Sequence, residues 1–222
     1  MNPALKALAA LLEYPDEDIV AALPEIEAAL AGEGELTADD RAAVAGLIRF
    51  LGESDLLDAQ EAYVELFDRG RAVSLNLFEH VHGEARDRGQ AMVDLKKLYA
   101  THGLELSANQ LPDYLPVFLE FLATRPRDEA RGSLGDVAHI LASIGAGLGR
   151  RASPWQAAFR ALLRLAGERH PEKRIAGLDV EDDSTAAALD RVWEADPVTF
   201  LGSCAPQRTG PQAIHFHKRA AS

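Results

Sequence analysis

Two acid–histidine pairs have the residue types and spacing best suited to metal chemistry. Glu79 and His82 form a Glu-x-x-His pair, and Asp136 with His139 imitates it. Di-metal enzymes built on helical bundles use two Glu-x-x-His pairs plus further glutamates, because residues three apart project from one helix face. The further glutamates are not evident here, and Gly83 is expected to end the helix at His82. A metal-dependent helical enzyme using these four residues therefore stays an alternative to simple solvated polar faces.

The C-terminal part of the chain holds three further residues of zinc-ligand type, Cys204, His215 and His217. They lack the paired spacing of zinc sites. The sequence contains no Ser-His-Asp order, no phosphate-binding loop and no dinucleotide fingerprint after a strand. The glycines of IGAGLG, residues 144–149, lie inside a helical stripe, where close helix packing explains them. These observations favour a binding module without a cofactor over an enzyme.

A polar segment, EHVHGEARDRG at residues 79–89, is the densest group of ionisable side chains near the centre of the chain. Its His80 and Glu84 are spaced i, i+4, and Asp87 and Arg88 follow. Perturbed polar groups cluster at functional sites. We therefore predict that these four residues form a polar cluster at a binding site, with capping or ordinary hydrogen bonding as the alternative.

The elements that must position these residues are helices. Apolar residues recur at helical spacing along almost the whole chain, and strand-like alternation is nearly absent, which predicts an all-α fold. Asn2 and Pro3 predict the start of a first helix that ends at Tyr14, and Pro24 is expected to open a second short helix. Thr37 with its capping partner at position 40 predicts the start of a third.

Further helices are expected along the rest of the chain. Ser54 is expected to cap one, and others are expected through residues 75–78, over residues 84–101, and in LPDYLPVFLEFLA at residues 111–123. Pro112 is expected early in that last helix, and Pro116 indicates either a late start or a kink. A stripe over residues 134–148 predicts one long helix, and Ser153 with Pro154 predicts the start of another.

Length and composition predict one folded domain. The 222 residues are 47% hydrophobic, enough for one sizeable core. We expect a helical domain over residues 1–178 and a flexible, acidic to polar tail over residues 179–222. The net charge of −12 argues against nucleic acid as a partner. A single cysteine, the lack of a signal-like N-terminus and the lack of an apolar run long enough for a membrane favour the cytoplasm.

Residues 63–99, YVELFDRGRAVSLNLFEHVHGEARDRGQAMVDLKKLY, and residues 111–123 resemble the NarJ family of nitrate reductase assembly chaperones. This resemblance covers roughly residues 1–170 in helix layout, and WEADPVTF at residues 193–200 also looks familial. The broader group of redox-enzyme maturation chaperones has a Tyr-x-x-Leu-Phe element, which Tyr63, Leu66 and Phe67 match. A second element, Glu-Pro-Asp-His-x-x-x-Glu-Leu, is matched in part: Pro112, Asp113 and Leu119 agree, whereas Leu111, Tyr114 and Phe118 differ.

The resemblance implies a non-enzymatic chaperone that acts in nitrate assimilation by binding an unfolded protein. Its client would be the N-terminal segment of the apo nitrate reductase α subunit, held while the bis-molybdopterin guanine dinucleotide cofactor is inserted before membrane attachment. Cofactor-delivery proteins are further expected partners, and the chaperone would be absent from the mature enzyme. A generic helical scaffold is the other alternative to this function.

The client groove is expected to have aromatic walls and a polar neighbourhood. Its predicted members are Tyr63, Phe67, Asp113, Tyr114 and Phe118, with the polar cluster His80, Glu84, Asp87 and Arg88 beside them. Asp113 is expected to project outward at the opening of a helix and to pair with a client cation. The alternative is that the aromatic residues belong to the core and that Asp113 only stabilises the helix start.

Overall fold

The fold is all-α, as predicted. The computed structural model describes residues 1–69, 71–81, 85–107 and 110–179, and these ranges contain ten α-helices, one 3₁₀ turn and no strand. The helices are α1 (Pro3–Leu11), α2 (Glu17–Ala31), α3 (Ala38–Glu53), α4 (Leu56–Phe67), α5 (Ala85–Thr101), α6 (Leu115–Ala123), α7 (Arg127–Asp136), α8 (Ala138–Arg150), α9 (Gln156–Leu165) and α10 (Pro171–Ala176); the 3₁₀ turn is Leu77–Glu79.

Helix α1 lies at the centre of the bundle. Its residues are apolar on several faces, and it packs against α2, α6 and α9. The side chain of Asn2 accepts hydrogen bonds from the first backbone N–H groups of α1, and Pro3 follows as the first helical residue. The backbone N–H of Asn2 donates to the Ala123 carbonyl at 2.7 Å. The start of α1 is therefore fixed to the end of α6.

Helices α8 and α9 form the second main contact of the core. Leu141, Ile144 and Leu148 of α8 and Phe159 and Leu162 of α9 are all fully buried. The predicted role of the α8 glycines in close packing is confirmed for two of them. A Cβ on Gly145 would lie 3.0 Å from Ile175 Cδ1 of α10, and one on Gly147 would lie 2.8 Å from Val73 Cγ1.

An ion-pair cluster joins the start of α3 to α9. Thr37 and Asp40 form the predicted capping box, which is confirmed. The Asp40 carboxylate is fully buried and accepts hydrogen bonds from Arg160 Nη2 at 3.2 Å and from Arg164 Nε at 2.8 Å. A buried carboxylate needs such partners, because an unpaired charge in the interior is costly.

Helix α6 starts late because the preceding residues pair with a second segment. Leu77 N–H donates to the Asp113 carbonyl at 2.9 Å, and Leu115 N–H donates to the Leu75 carbonyl at 2.8 Å. These bonds surround an isolated bridge between Asn76 and Tyr114. The expected helix through residues 75–78 is therefore wrong: the backbone groups of Leu75 and Leu77 pair across to residues 113–115, and only a 3₁₀ turn follows.

Three other boundary predictions also need correction. Pro24 does not open a helix but lies inside α2, which begins after Asp16. Proline has no N–H group, so one helix carbonyl loses its hydrogen-bond donor. Because Pro24 is exposed, that carbonyl lies on the solvent side. The stripe over residues 134–148 is broken at Val137 into α7 and α8. Ser54 ends α3, and Asp55 caps α4 through its side chain. For α6, a late start is confirmed, with Pro116 in its first turn and Pro112 outside it.

Candidate functional site

The hydroxyl groups of Tyr63 and Tyr114 meet at the end of α1. Tyr63 Oη donates to the Leu12 carbonyl at 2.8 Å and lies 3.0 Å from Tyr114 Oη. Tyr114 Oη also lies 3.5 Å from Glu13 Oε2. A carbonyl near the end of α1, left without a helical donor, is thus satisfied by a side chain from α4.

Most of the predicted aromatic walls are buried in the core. Tyr63, Phe67 and Phe118 are 5%, 6% and 3% exposed. The Tyr63 ring lies 4.7 Å from that of Phe67 and 6.0 Å from that of Trp155, and Trp155 Nε1 donates to the Leu11 carbonyl at 3.1 Å. These rings support a surface from below and present little area of their own to a partner.

The surface above those rings is formed by Glu13, Tyr14 and Tyr114. Tyr14 is 46% exposed and packs edge-on against Tyr63 at 5.7 Å between ring centroids. Tyr114 and Glu13 are half-buried. The sequence pattern points to Tyr114 but not to Glu13 or Tyr14, which lie about 50 residues before Tyr63 and a hundred before Tyr114. No short-range signal links these residues, because distant packing brings them together: α1 packs against α6, and Tyr14 packs against Tyr63 of α4.

Asp113 does not project outward, so that expectation is wrong. It is fully buried, and its Oδ2 accepts a hydrogen bond from Phe78 N–H at 3.1 Å. Among the described residues, its Oδ1 has no hydrogen-bond partner. Burial raises the pKa of Asp113, against the opposing effects of the Phe78 N–H and the positive charge of Arg88. The residue precedes α6 and ties the 113–115 segment to the 3₁₀ turn.

The predicted polar cluster is brought together only in part. His80 is half-buried, with Nε2 at 2.7 Å from the Ser74 carbonyl, and Arg88 Nη2 lies 3.6 Å from Glu79 Oε1. Arg88 is also close enough to act electrostatically on Asp113. Glu84 and the side chain of Asp87 lie outside the described residues. The structure therefore links Arg88, but not the whole predicted cluster, to the 113–115 segment.

Negative charge accumulates along the surface beside Tyr114. Burial raises the pKa of Glu13, and the carboxylates of Glu120 and Asp16 raise it further. Burial also raises the pKa of Tyr114 to about 12 and that of Tyr63 above its usual range. Both hydroxyls stay protonated at neutral pH, so they suit hydrogen bonding to a partner and not proton abstraction. We call Glu13, Tyr14, Asp16, Tyr114 and Glu120 the acidic tyrosine surface.

The alternative metal site finds no support in the described part of the chain. Glu79 lies in the 3₁₀ turn beside Arg88, while Asp136 ends α7 and His139 is exposed on α8. No group of three or more His, Cys, Asp or Glu side chains among the described residues could hold a metal ion. His82, Cys204, His215 and His217 lie outside those residues. No helix in the described ranges has the length and apolar character needed to cross a membrane.

Comparison with known proteins gives a consistent set of relatives. The family model described as nitrate reductase delta subunit matches residues 33–161. The chain is 46% identical over 211 residues to the nitrate reductase molybdenum cofactor assembly chaperone NarJ of Escherichia coli K12, covering 94% of this chain and 88% of that protein. It is 43% identical over 199 residues to the probable chaperone NarW of the same strain, covering 89% and 83%. It is 34% identical over 128 residues to the probable chaperone NarJ of Bacillus subtilis, covering 56% and 67%.

Proposed function

The chain belongs to the nitrate reductase delta subunit family, and from that membership we propose that it is an assembly chaperone for the molybdenum cofactor of a nitrate reductase. The observation that carries the proposal is the 46% identity to an assembly chaperone over 94% of the chain. A chaperone of this kind is not an enzyme. The hydroxyl groups of Tyr63 and Tyr114, which stay protonated and can form hydrogen bonds, suit the same function.

The client in this proposal is the apo catalytic α subunit, bound through its N-terminal segment. The chaperone holds that unfolded segment in the cytoplasm while bis-molybdopterin guanine dinucleotide is inserted, with delivery proteins as transient partners, and leaves before membrane attachment. Binding without covalent chemistry requires only a complementary surface. An acidic surface also speeds the encounter with a basic segment.

We assign client contact to the acidic tyrosine surface, with the buried predicted residues as its support. Tyr14 is exposed, and Tyr114 and Glu13 beside it are half-buried, so the surface offers an aromatic ring, a hydroxyl group and a carboxylate. Tyr63, Phe67 and Phe118 lie beneath and fix the positions of these groups. We assign the other predicted residues, His80, Glu84, Asp87, Arg88 and Asp113, to the border of the same site.

The first experiment is affinity purification of the tagged full-length chain from anaerobically grown cells. We expect an apo nitrate reductase α subunit to co-purify. If the recovered client is the cofactor-loaded mature enzyme, or if no nitrate reductase subunit is enriched over an untagged control, the proposal is wrong.

The second experiment tests the site with a charge reversal. Glu13→Lys should weaken binding of a synthetic α-subunit N-terminal peptide about tenfold or more in titration calorimetry, because attraction becomes repulsion. The matched control is Glu27→Lys, an exposed glutamate on α2. Equal affinities for the two variants, with unchanged thermal melts, would remove Glu13 from the client site.

A further inference from the structure

A groove lies beside α6 and shares Glu120 with the acidic tyrosine surface. It is an open groove of about 230 Å³, with its apolar floor formed by Tyr99, Leu104, Leu106, Val117 and Phe121. The Tyr99 and Phe121 rings stack at 4.9 Å between centroids, and both are buried at the base. Pockets for drug-sized ligands span about 300–1,000 Å³. This groove is smaller, so it suits one or two side chains of a peptide. We call it the α6 groove.

The rim of the α6 groove carries two exposed glutamates. Glu105 and Glu120 line it together with two cationic groups, Lys6 and the N-terminal amine of Met1. Glu120 also lies near Glu13, whose pKa it raises, so the negative charge continues along α6 beyond the groove. An apolar side chain flanked by cations fits such a groove better than one flanked by acids.

The chain itself carries a segment with that chemistry. Residues 197–222 contain no Asp or Glu but include Arg208, Lys218 and Arg219, in a chain whose net charge is −12. Residues 180–222 contain three aromatic residues. Trp193 is followed at once by Glu194, Phe200 has no charged residue within three positions, and Phe216 lies in HFHKR at residues 215–219. Trp193 has acids as well as Arg191 within three positions, whereas Phe216 has two cations and no acid within three positions.

We propose that residues 215–219 dock into the α6 groove of the same chain, with Phe216 on the apolar floor and Lys218 and Arg219 against Glu105 and Glu120. Reach is sufficient, since residues 180–213 can span about 110 Å, whereas a compact domain of this size has a radius of gyration of about 16 Å. Tethering places the segment at an effective concentration on the order of millimolar. This inference does not depend on the proposed client.

The test uses the full chain with a nitroxide label near its C-terminus. Cys204→Ser removes the single native cysteine, and Ser222→Cys provides the attachment point. We expect paramagnetic broadening of the methyl signals of Val117, Leu104 and Leu106, but not of the exposed Leu57 on α4. Phe216→Ala should abolish the difference, and Lys218→Glu with Arg219→Glu should weaken it.

A charge reversal on the groove side provides the reciprocal check. Glu120→Arg should reduce the broadening, whereas Glu27→Arg on α2, also exposed, should leave it unchanged. Equal broadening of the groove and Leu57 methyls would overturn the proposal, and so would groove broadening that survives Phe216→Ala. Mixing labelled chains with isotope-enriched unlabelled chains separates docking within one chain from docking between copies. Groove broadening of the isotope-enriched, unlabelled chains in that mixture would show docking between copies and would also overturn the proposal.

Discussion

Asp40 and Asp113 are both fully buried, yet their surroundings shift their pKa values in opposite directions. Burial raises the pKa of each carboxyl group, but at Asp40 hydrogen bonds from Thr37 and Arg164 outweigh burial and lower the pKa. At Asp113 burial outweighs the backbone N–H groups of Phe78 and of Asp113 itself and the charge of Arg88, and the pKa is raised. The same residue type therefore gives opposite dependences of stability on pH.

Asp113→Asn should change how stability depends on pH. A raised folded-state pKa means that the contribution of Asp113 is fully present below its unfolded value of about 3.9. That contribution is lost as pH rises through the folded-state value. The asparagine variant cannot ionise and keeps its stability. Its free energy of unfolding should therefore increase relative to that of the wild type as pH rises from about 3.9. Urea melts across this range measure the difference; a constant offset would contradict the raised pKa.

Asp113→Lys should unfold or strongly destabilise the protein. The residue is 0% exposed, and an ammonium group would replace the acceptor of the Phe78 N–H. We expect a loss of about 3 kcal/mol or more. Asp113→Asn is the matched control, because its amide oxygen can still accept that hydrogen bond. Similar melts for the lysine and asparagine variants would show that the site is open to solvent.

Asp40→Asn should remove an acid-sensitive contribution. A lowered pKa contributes stability above the unfolded value of about 3.9, and that stability is lost as pH falls through the folded-state pKa. At neutral pH we expect a loss of about 3 kcal/mol, because Arg160 and Arg164 lose their buried partner. The gap between variant and wild type should narrow in acid. A gap that widens below about pH 4 would contradict the lowered pKa.

At the scale of helices, alanine substitutions at a packed glycine and at an open glycine distinguish the effect of packing from that of helix propensity. Gly147→Ala should destabilise by about 1–2 kcal/mol, because the new Cβ would lie 2.8 Å from the buried Val73 side chain and overpacking outweighs the gain in helix propensity. Gly46→Ala, inside α3 with nothing within 4 Å, should stabilise by about 0.5–1 kcal/mol. Denaturant melts measure the stability of both variants. If Gly147→Ala also stabilised the protein, residues 72–73 would be able to move away from the new Cβ at little energetic cost.

The helix predictions were correct where local capping signals were strong. They were wrong where hydrogen bonds to a distant segment determine the backbone conformation. Asn2 and Thr37 act through bonds to residues two to three positions away, and the structure confirms both caps. The segment around Leu75 has the composition of a helix, but its backbone pairs with residues 113–115. That pairing also delays α6 and turns Asp113 inward. Neither consequence can be derived from a window of local residues.

At the scale of the whole molecule, a chain ended after residue 178 should keep one cooperative unfolding transition. Ile175 is 5% exposed, whereas Leu178 is 40% exposed, so α10 is the last described element that contributes a side chain to the core. The lost Arg150–Asp179 pair is exposed and contributes about 1 kcal/mol or less. A second truncation after residue 170 removes α10 and should destabilise clearly. If truncation after 178 abolishes the cooperative transition, the domain boundary is wrong.

The sequence predicted the buried half of the candidate site and Tyr114, but not Glu13 or Tyr14. Tyr63 and Phe67 match a family motif, and Phe118 lies on an apolar helix face. Glu13 and Tyr14 gain their position from the packing of α1 against α6 and from the contacts of Leu12 and Tyr14 with Tyr63, which a single sequence does not encode locally. The buried residues beneath a binding surface are thus easier to predict from sequence than the exposed residues that form it.

The burial of Trp155 gives the folded core an optical signal of its own. Its indole is 1% exposed and donates to the Leu11 carbonyl, and Tyr63 lies 6.0 Å away. The chain has one other tryptophan, Trp193, so Trp193→Phe leaves a single indole emitter. Its fluorescence should be blue-shifted and insensitive to external quenchers, with excitation transferred from the adjacent tyrosine. A red shift on adding a client would then reveal that binding at the end of α1 loosens the junction of α1, α4 and α9.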